Sequence, residues 1–68
     1  MDVKVHLVND DESIQLTLPD SALVSDTLIK LDIPPDTVII TRNGQPIPLD
    51  SELTNKDELS IIRVLSGG

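Results

Sequence analysis

The sequence contains no cysteine, phenylalanine, tyrosine or tryptophan, and it has a single histidine, His6. Without cysteine, the chain forms no disulfide and offers no thiolate for zinc binding or nucleophilic catalysis. One histidine leaves few nucleophile–base pairs, so we do not expect a self-contained enzyme. Strand alternation places His6 opposite an apolar face, where we expect a solvated surface residue. The missing aromatic rings also remove the stacking contacts that bind single-stranded nucleic acids.

Basic residues are few: five lysines and arginines stand against twelve aspartates and glutamates, for a net charge of −7. Phosphate backbones repel such a surface, so we expect no nucleic-acid binding. The acidic balance favours encounter with a basic protein surface, although it also simply keeps a small protein soluble. No apolar stretch reaches the about 18–20 residues of a membrane span, and no signal peptide is recognisable. We expect a cytoplasmic monomer without membrane association.

The first half of the chain predicts a β-hairpin followed by one helix. Apolar and polar residues alternate over residues 3–7 and 14–18, which is the pattern of half-buried strands, and a polar turn joins them. The acidic residues of that turn lack the spacing of an EF-hand, so no metal site is expected. A helix is predicted over residues 22–31, with Ser21 and Ser25 as alternative N-caps. Pro34 and Pro35 follow its end.

The second half predicts a second hairpin and a final strand. A β-branched strand over residues 37–42 leads into Asn43-Gly44, the signal of a type I′ turn. The returning strand is bracketed by prolines at positions 46 and 48, so it should be short and lie at a sheet edge. Leu49 and Leu53 are expected to anchor the segment that follows, and the last strand spans residues 58–65. The order ββ-α-ββ-β predicts a two-layer α+β fold, a mixed sheet with one helix packed across it.

Three apolar side chains are candidates for a docking surface. If Leu59 and Ile61 point into the core, alternation directs Ile62 and Val64 to the opposite face, and the same reasoning applies to Ile39. The alternative is a shift in strand phase that packs some of these side chains inward. Either arrangement is compatible with the sequence alone.

The sequence ends in Ser66-Gly67-Gly68 directly after an apolar run. Glycine lacks a Cβ, so such a segment can enter a channel too narrow for other residues. A main-chain carboxylate presented in this way suits the role of a substrate for another enzyme. The simpler alternative is a frayed terminus. We expect residues 1–65 to form the domain and residues 66–68 to form a flexible tail.

Taken together, these motifs resemble a known family. The relevant residues are the strand and turn Val38 to Gly44, Pro48, Leu53, the segment Asp57-Glu58-Leu59, and Val64 to Gly68. In this order and spacing they resemble the ubiquitin-like β-grasp sulfur carriers of the ThiS/MoaD type and the small archaeal modifier proteins. Many family members carry Gly-Asp where this chain has Lys56-Asp57. If that turn needs a positive φ, Asn55 is expected to supply it.

The resemblance implies a function centred on Gly68. An E1-like enzyme would adenylate the Gly68 carboxylate with ATP and Mg²⁺, and this chain would itself bind no cofactor. A sulfur donor would convert the adenylate to a thiocarboxylate for thiamine, molybdopterin or tRNA thiolation. Alternatively, target-protein lysines would receive Gly68 in isopeptide bonds. A third possibility is a non-covalent adaptor with an incidental diglycine.

Overall fold

The computed structural model describes residues 1–64, which form a mixed five-stranded sheet crossed by one helix. The strands lie in the order β2-β1-β5-β3-β4, and β1 pairs with β5 in parallel while the other pairs are antiparallel. This arrangement confirms the predicted α+β class and the order ββ-α-ββ-β. The elements are β1 (Asp2–Leu7), a 3-10 turn (Val8–Asp10), β2 (Glu12–Thr17), α1 (Val24–Leu31), a second 3-10 turn (Pro35–Thr37), β3 (Val38–Arg42), β4 (Gln45–Pro46) and β5 (Glu58–Arg63).

The core is built from aliphatic side chains between the helix and one face of the sheet. Strand alternation supplies it, because every second residue of β1, β2, β3 and β5 points inward. Leu59 and Ile61 are both buried, which is one of the two arrangements that the sequence left open, and Leu28 of α1 packs above the sheet. Among the described residues, the buried apolar side chains of the core are Val3, Val5, Leu16, Leu18, Ala22, Val24, Leu28, Ile40, Leu53, Leu59 and Ile61.

The helix begins two residues later than predicted, and neither predicted serine caps it. Leu23 occupies the N-cap position, and its backbone N–H donates to the Asp26 carboxylate at 2.8 Å. An acidic side chain at this position also complements the helix dipole. The helix ends at Leu31, and the C-cap residue Asp32 has a left-handed φ of 57°, before the chain reaches the two prolines. The N–H of Ile33 then donates to the Leu28 carbonyl at 2.9 Å, which satisfies a carbonyl at the helix end.

The predicted type I′ turn is confirmed, since Asn43 and Gly44 have φ values of 55° and 79°. The returning strand β4 contains only two residues and forms one edge of the sheet, as its prolines require. The N–H of Ile47 continues the connection by donating to the Ile40 carbonyl at 3.0 Å. The last strand spans Glu58 to Arg63 and is shorter than predicted, since Val64 is described but lies outside the strand; Leu65 lies outside the described residues.

Two predictions for the segment between β4 and β5 are wrong. Leu53 is buried as predicted, but the Leu49 side chain is 38% exposed, and Leu49 contributes its backbone carbonyl to the N–H of Ser25 instead. The left-handed residue before β5 is Lys56, with φ of 69°, and not Asn55. The reason is tertiary: the Asn55 side chain accepts a hydrogen bond from the N–H of Asp2, while the Lys56 N–H donates to the Asp2 carbonyl.

A charged contact fastens this segment to the sheet. The Asp57 carboxylate accepts hydrogen bonds from Arg42 Nη1 at 3.0 Å and from the Thr54 N–H at 2.9 Å. Burial alone would raise the pKa of Asp57. The hydrogen bonds from Thr54 and from the positively charged Arg42 outweigh burial and hold the pKa below its ordinary value. Arg42 Nη1 also donates to the Glu52 carbonyl at 3.3 Å, so one guanidinium connects β3 to two points of the segment.

We expect Asp57→Asn to lower the free energy of unfolding by about 1–2 kcal/mol at neutral pH, because it removes the charge from a hydrogen-bonded pair. The folded pKa is depressed, so the stabilisation is complete above the unfolded pKa and is lost as pH falls through the folded value. The difference between wild type and variant should therefore shrink below about pH 4. Urea unfolding at neutral and acidic pH measures it. Asp50→Asn, an exposed residue of the same segment, is the control, and a difference independent of pH would contradict the prediction.

Candidate functional site

The predicted docking residues lie together on the face of the sheet opposite the helix. Ile39 and Ile62 are direct cross-strand partners on β3 and β5, so their side chains are neighbours. Ile39 is 43% exposed and Val64 is 51% exposed, while Ile62 is half-buried between its neighbours. The described backbone thus places these residues outside the core cluster, and the phase shift that would have packed them inward is not observed. Their role in docking remains a prediction.

A fourth apolar residue belongs to the same end of this face. Leu7 pairs with Ile61 in the parallel β1–β5 register, so Val8 follows at the level of Ile62. Val8 is 42% exposed, and its 3-10 turn packs against β5. Sequence reasoning missed Val8, although continuing the alternation of Lys4 and His6 by one step would have identified it. We call Val8, Ile39, Ile62 and Val64 the apolar patch.

The remainder of the free face is polar, so the apolar patch is confined to one end. The row of cross-strand partners His6, Ser13 and Ser60 borders the patch. His6 is partly exposed, with Nδ1 at 3.2 Å from the Ser13 hydroxyl. Beyond this row, Lys4 pairs with Glu58 at the other end of the sheet. An apolar cluster with a polar surround is the usual composition of a protein-docking surface.

An acidic side chain flanks the apolar patch at the turn between β1 and β2. Asp11, whose side chain is almost fully exposed, lies 4.0 Å from His6 on the free face. Asp10, about half exposed, is on the helix side of the same turn, because its partner Arg63 alternates with Ile62 along β5. Asp10 Oδ2 lies 4.0 Å from Arg63 Nη2, a surface ion pair that contributes little to stability. A partner surface that covers the patch and carries basic residues opposite this turn would gain in association rate.

The predicted reactive residue and its tether are not among the described residues. Gly68, Gly67 and Ser66 lie outside the described residues, as does Leu65. The described chain reaches Val64, whose N–H donates to the Thr37 carbonyl at 3.0 Å. The apolar patch therefore lies at the end of β5 that leads, in sequence, into the diglycine.

The described part of the chain, residues 1–64, contains no helix long and apolar enough to cross a membrane. Over the same residues, no group of three or more histidine, aspartate or glutamate side chains is arranged to hold a metal ion.

The fold is that of ubiquitin-like β-grasp proteins. The crystal structure of SAMP1 from Haloferax volcanii superimposes with a TM-score of 0.77 at 21% identity, and the match covers 100% of both chains. A second crystal structure of H. volcanii small archaeal modifier protein 1 gives a TM-score of 0.75 at 19% identity, covering 94% of this chain and 98% of that chain. At these identities, the likeness establishes the fold.

The family follows from the sequence. The family model described as small archaeal modifier protein 2 (SAMP2) matches residues 1–65, and the chain belongs to this family. An uncharacterized protein of Archaeoglobus fulgidus is 29% identical over 68 residues, and the match covers 100% of both chains. The resemblance on which the expectations above rest is thereby confirmed, and the chain is a ubiquitin-like small archaeal modifier protein.

Proposed function

We propose that this protein is the substrate of an E1-like adenylating enzyme and reacts through a C-terminal carboxylate at Gly68. The observation that carries the proposal is the apolar patch at the end of β5, immediately before residues 65–68 in sequence. A partner that docks on Ile39 and Ile62 has the chain end within its reach, because four extended residues span at most about 14 Å. Docking and delivery of the carboxylate are then one binding event.

The chemistry of the first step belongs to the partner. The Gly68 carboxylate is ionised at neutral pH and is a poor electrophile. Attack by this carboxylate on the α-phosphate of ATP would release pyrophosphate and form an acyl-adenylate, whose AMP is a good leaving group. The partner supplies ATP, Mg²⁺ and the catalytic groups, and this chain supplies the docking surface and the reacting carboxylate.

Our first candidate for the second step is sulfur transfer. A persulfide would displace AMP from the adenylate and form an acyl disulfide. A second thiol would then attack the donor's sulfur, form a disulfide with it and release the thiocarboxylate. The chain would cycle between carboxylate and thiocarboxylate while its folded body stays unchanged. Thiamine, molybdopterin or thiolated tRNA would receive the sulfur, and the cytoplasm is the proposed location.

The second candidate is protein modification, which the description of the matched family as a modifier favours. A lysine amine of a target protein would displace AMP, directly or through an enzyme thioester, and form an isopeptide bond to Gly68. The nitrogen loses a proton in this step. The same adenylate serves both fates, so the two candidates are compatible with each other.

Intact-mass spectrometry on the protein from its native cell tests the two fates. We expect a fraction of the chains to carry sulfur in place of one oxygen at the C-terminus if sulfur transfer operates. Tryptic digests of the same cells should contain lysines bearing the C-terminal residues of this chain if modification operates. Cells that lack the E1-like enzyme are the control and should show neither species. Detection of neither species in wild-type cells would contradict the proposed function.

A further inference from the structure

The last described residues of β5 are held from both sides of the strand. The backbone N–H of Arg63 donates to Asn9 Oδ1 at 2.7 Å, on the side of β1. The N–H of Val64 donates to the Thr37 carbonyl at 3.0 Å, on the side of β3. Successive N–H groups of a strand point to opposite sides, so these two bonds together fix the direction of the chain at this point.

The Asn9 side chain replaces a strand partner that β1 no longer provides. The ladder between β1 and β5 ends at the pair Leu7 and Ile61, because the chain then turns into the 3-10 segment. The Arg63 N–H lies beyond this last pair and would face water without Asn9. The turn that presents Asn9 is itself closed by the Asp11 N–H on the Val8 carbonyl at 3.3 Å.

We propose that Asn9 is a positioning residue for the reaction at Gly68, an inference that rests on the function proposed above. Residues 65–68 could span about 14 Å if extended, and a change of direction of about 20° at their base would then move the far end by about 5 Å. Displacements of about 1 Å already reduce the rate of a reaction that depends on alignment. The hydrogen bond from Arg63 to Asn9 therefore sets the direction in which the chain leaves β5. Through this direction it affects how often the carboxylate reaches the enzyme's ATP site in a docked complex.

The structure provides a matched control at the opposite end of the sheet. Asn55 Oδ1 accepts a hydrogen bond from the backbone N–H of Asp2 at 2.8 Å, a bond of the same type and with similar exposure. Asp2 begins β1 whereas Arg63 ends β5, and these two strands are parallel. Asn55→Ala and Asn9→Ala thus remove equivalent hydrogen bonds, of which only the one at Asn9 adjoins the chain end.

ATP–pyrophosphate exchange by the E1-like enzyme, with the full-length chain as substrate, tests the proposal. Asn9→Ala should lower kcat about two- to tenfold, the factor that corresponds to the free energy of one hydrogen bond. KM should stay within about twofold of the wild-type value because the apolar patch is intact. Asn9→Asp keeps an acceptor oxygen and should restore kcat. Asn55→Ala should leave kcat unchanged. Equal kcat values for Asn9→Ala and Asn55→Ala, or a change in KM alone, would overturn the proposal.

Amide hydrogen exchange supplies a readout that does not depend on activity. The amide of Arg63 should exchange faster in Asn9→Ala than in wild type and should be unaffected in Asn55→Ala. Unchanged exchange at Arg63 in Asn9→Ala would overturn the proposal by itself. If the wild-type chain supports no pyrophosphate exchange, the proposed function fails together with the inference. An active wild type with an equally active Asn9→Ala removes the inference alone.

Discussion

A chain that ends at Ser66, without Gly67 and Gly68, is expected to show no detectable adenylation. The deletion removes the carboxylate proposed to attack ATP and shortens the reach from Val64 by about 7 Å. The new terminal carboxylate at Ser66 would stop short of the position at which the enzyme holds the α-phosphate. ATP–pyrophosphate exchange at saturating chain concentration measures the loss directly.

The folded body should be unaffected by this truncation. The core residues of the described part of the chain all lie between Val3 and Ile61, so we expect removal of Gly67 and Gly68 to change the free energy of unfolding by less than about 0.5 kcal/mol. The truncated chain should also compete with the full-length chain for docking, because the apolar patch remains. Full cellular function of the truncated chain would refute both the sulfur-carrier and the modifier hypotheses and would favour a non-covalent adaptor.

Ile39→Asp and Ile62→Asp are each expected to weaken binding to the E1-like partner at least 30-fold. A carboxylate at the centre of an apolar interface must be desolvated without a partner, which costs about 2 kcal/mol or more. Ile39 is the cleaner test because it is 43% exposed, whereas the half-buried Ile62 also contacts its strand neighbours. Isothermal titration of the purified chain with the enzyme measures the change.

Ile29→Asp is the matched control for these substitutions. Ile29 is 75% exposed on α1, on the other layer of the domain, so the same chemical change there should leave the dissociation constant within about twofold. Circular dichroism must show that each variant is folded. If Ile62→Asp unfolds the domain, Ile62 is a core residue. If Ile39→Asp then binds normally, the docking assignment is wrong.

The parts of the fold that could be predicted are those fixed by local sequence. Asn43 and Gly44 dictate a turn with two positive φ values whatever surrounds them. Alternation in β1 and β5 fixes the inward-facing residues because one face of each strand is buried. The helix and its apolar face follow from spacing in the same way. In these segments local preference and tertiary packing agree.

The wrong predictions for Leu49 and Asn55 lie where distant groups decide the local geometry, whereas the helix start was misplaced by a local contact between Leu23 and Asp26. Asn55 tolerates the left-handed region better than Lys56, yet its side chain is needed by the N–H of Asp2, which is 53 residues away in sequence. Leu49 is apolar, but the segment is anchored by its carbonyl and by the contact between Arg42 and Asp57. No local sequence pattern indicates contacts between residues that are this far apart in sequence.

The candidate site was predictable only in part, because some of its geometry also depends on residues that are distant in sequence. Ile39 and Ile62 follow from alternation on two strands, but the β3–β5 register that makes them neighbours is tertiary information. Val8 could have been found by extending the alternation of β1. The hydrogen bond between Asn9 and Arg63 could not have been predicted in this way, because it joins a turn to a strand that is 54 residues away in sequence.

The parallel pairing of β1 and β5 determines how the domain responds to mechanical load. These strands are neighbours and run in the same direction, so the start of β1 and the far end of β5 lie at opposite ends of the sheet. A pulling force applied to the chain on either side of this pair shears the strands along their length. All their hydrogen bonds then share the load and must break together, whereas an antiparallel pair pulled from one end opens one bond at a time. Traction between the start of β1 and a molecule joined to the chain beyond β5 would thus load this pair in shear.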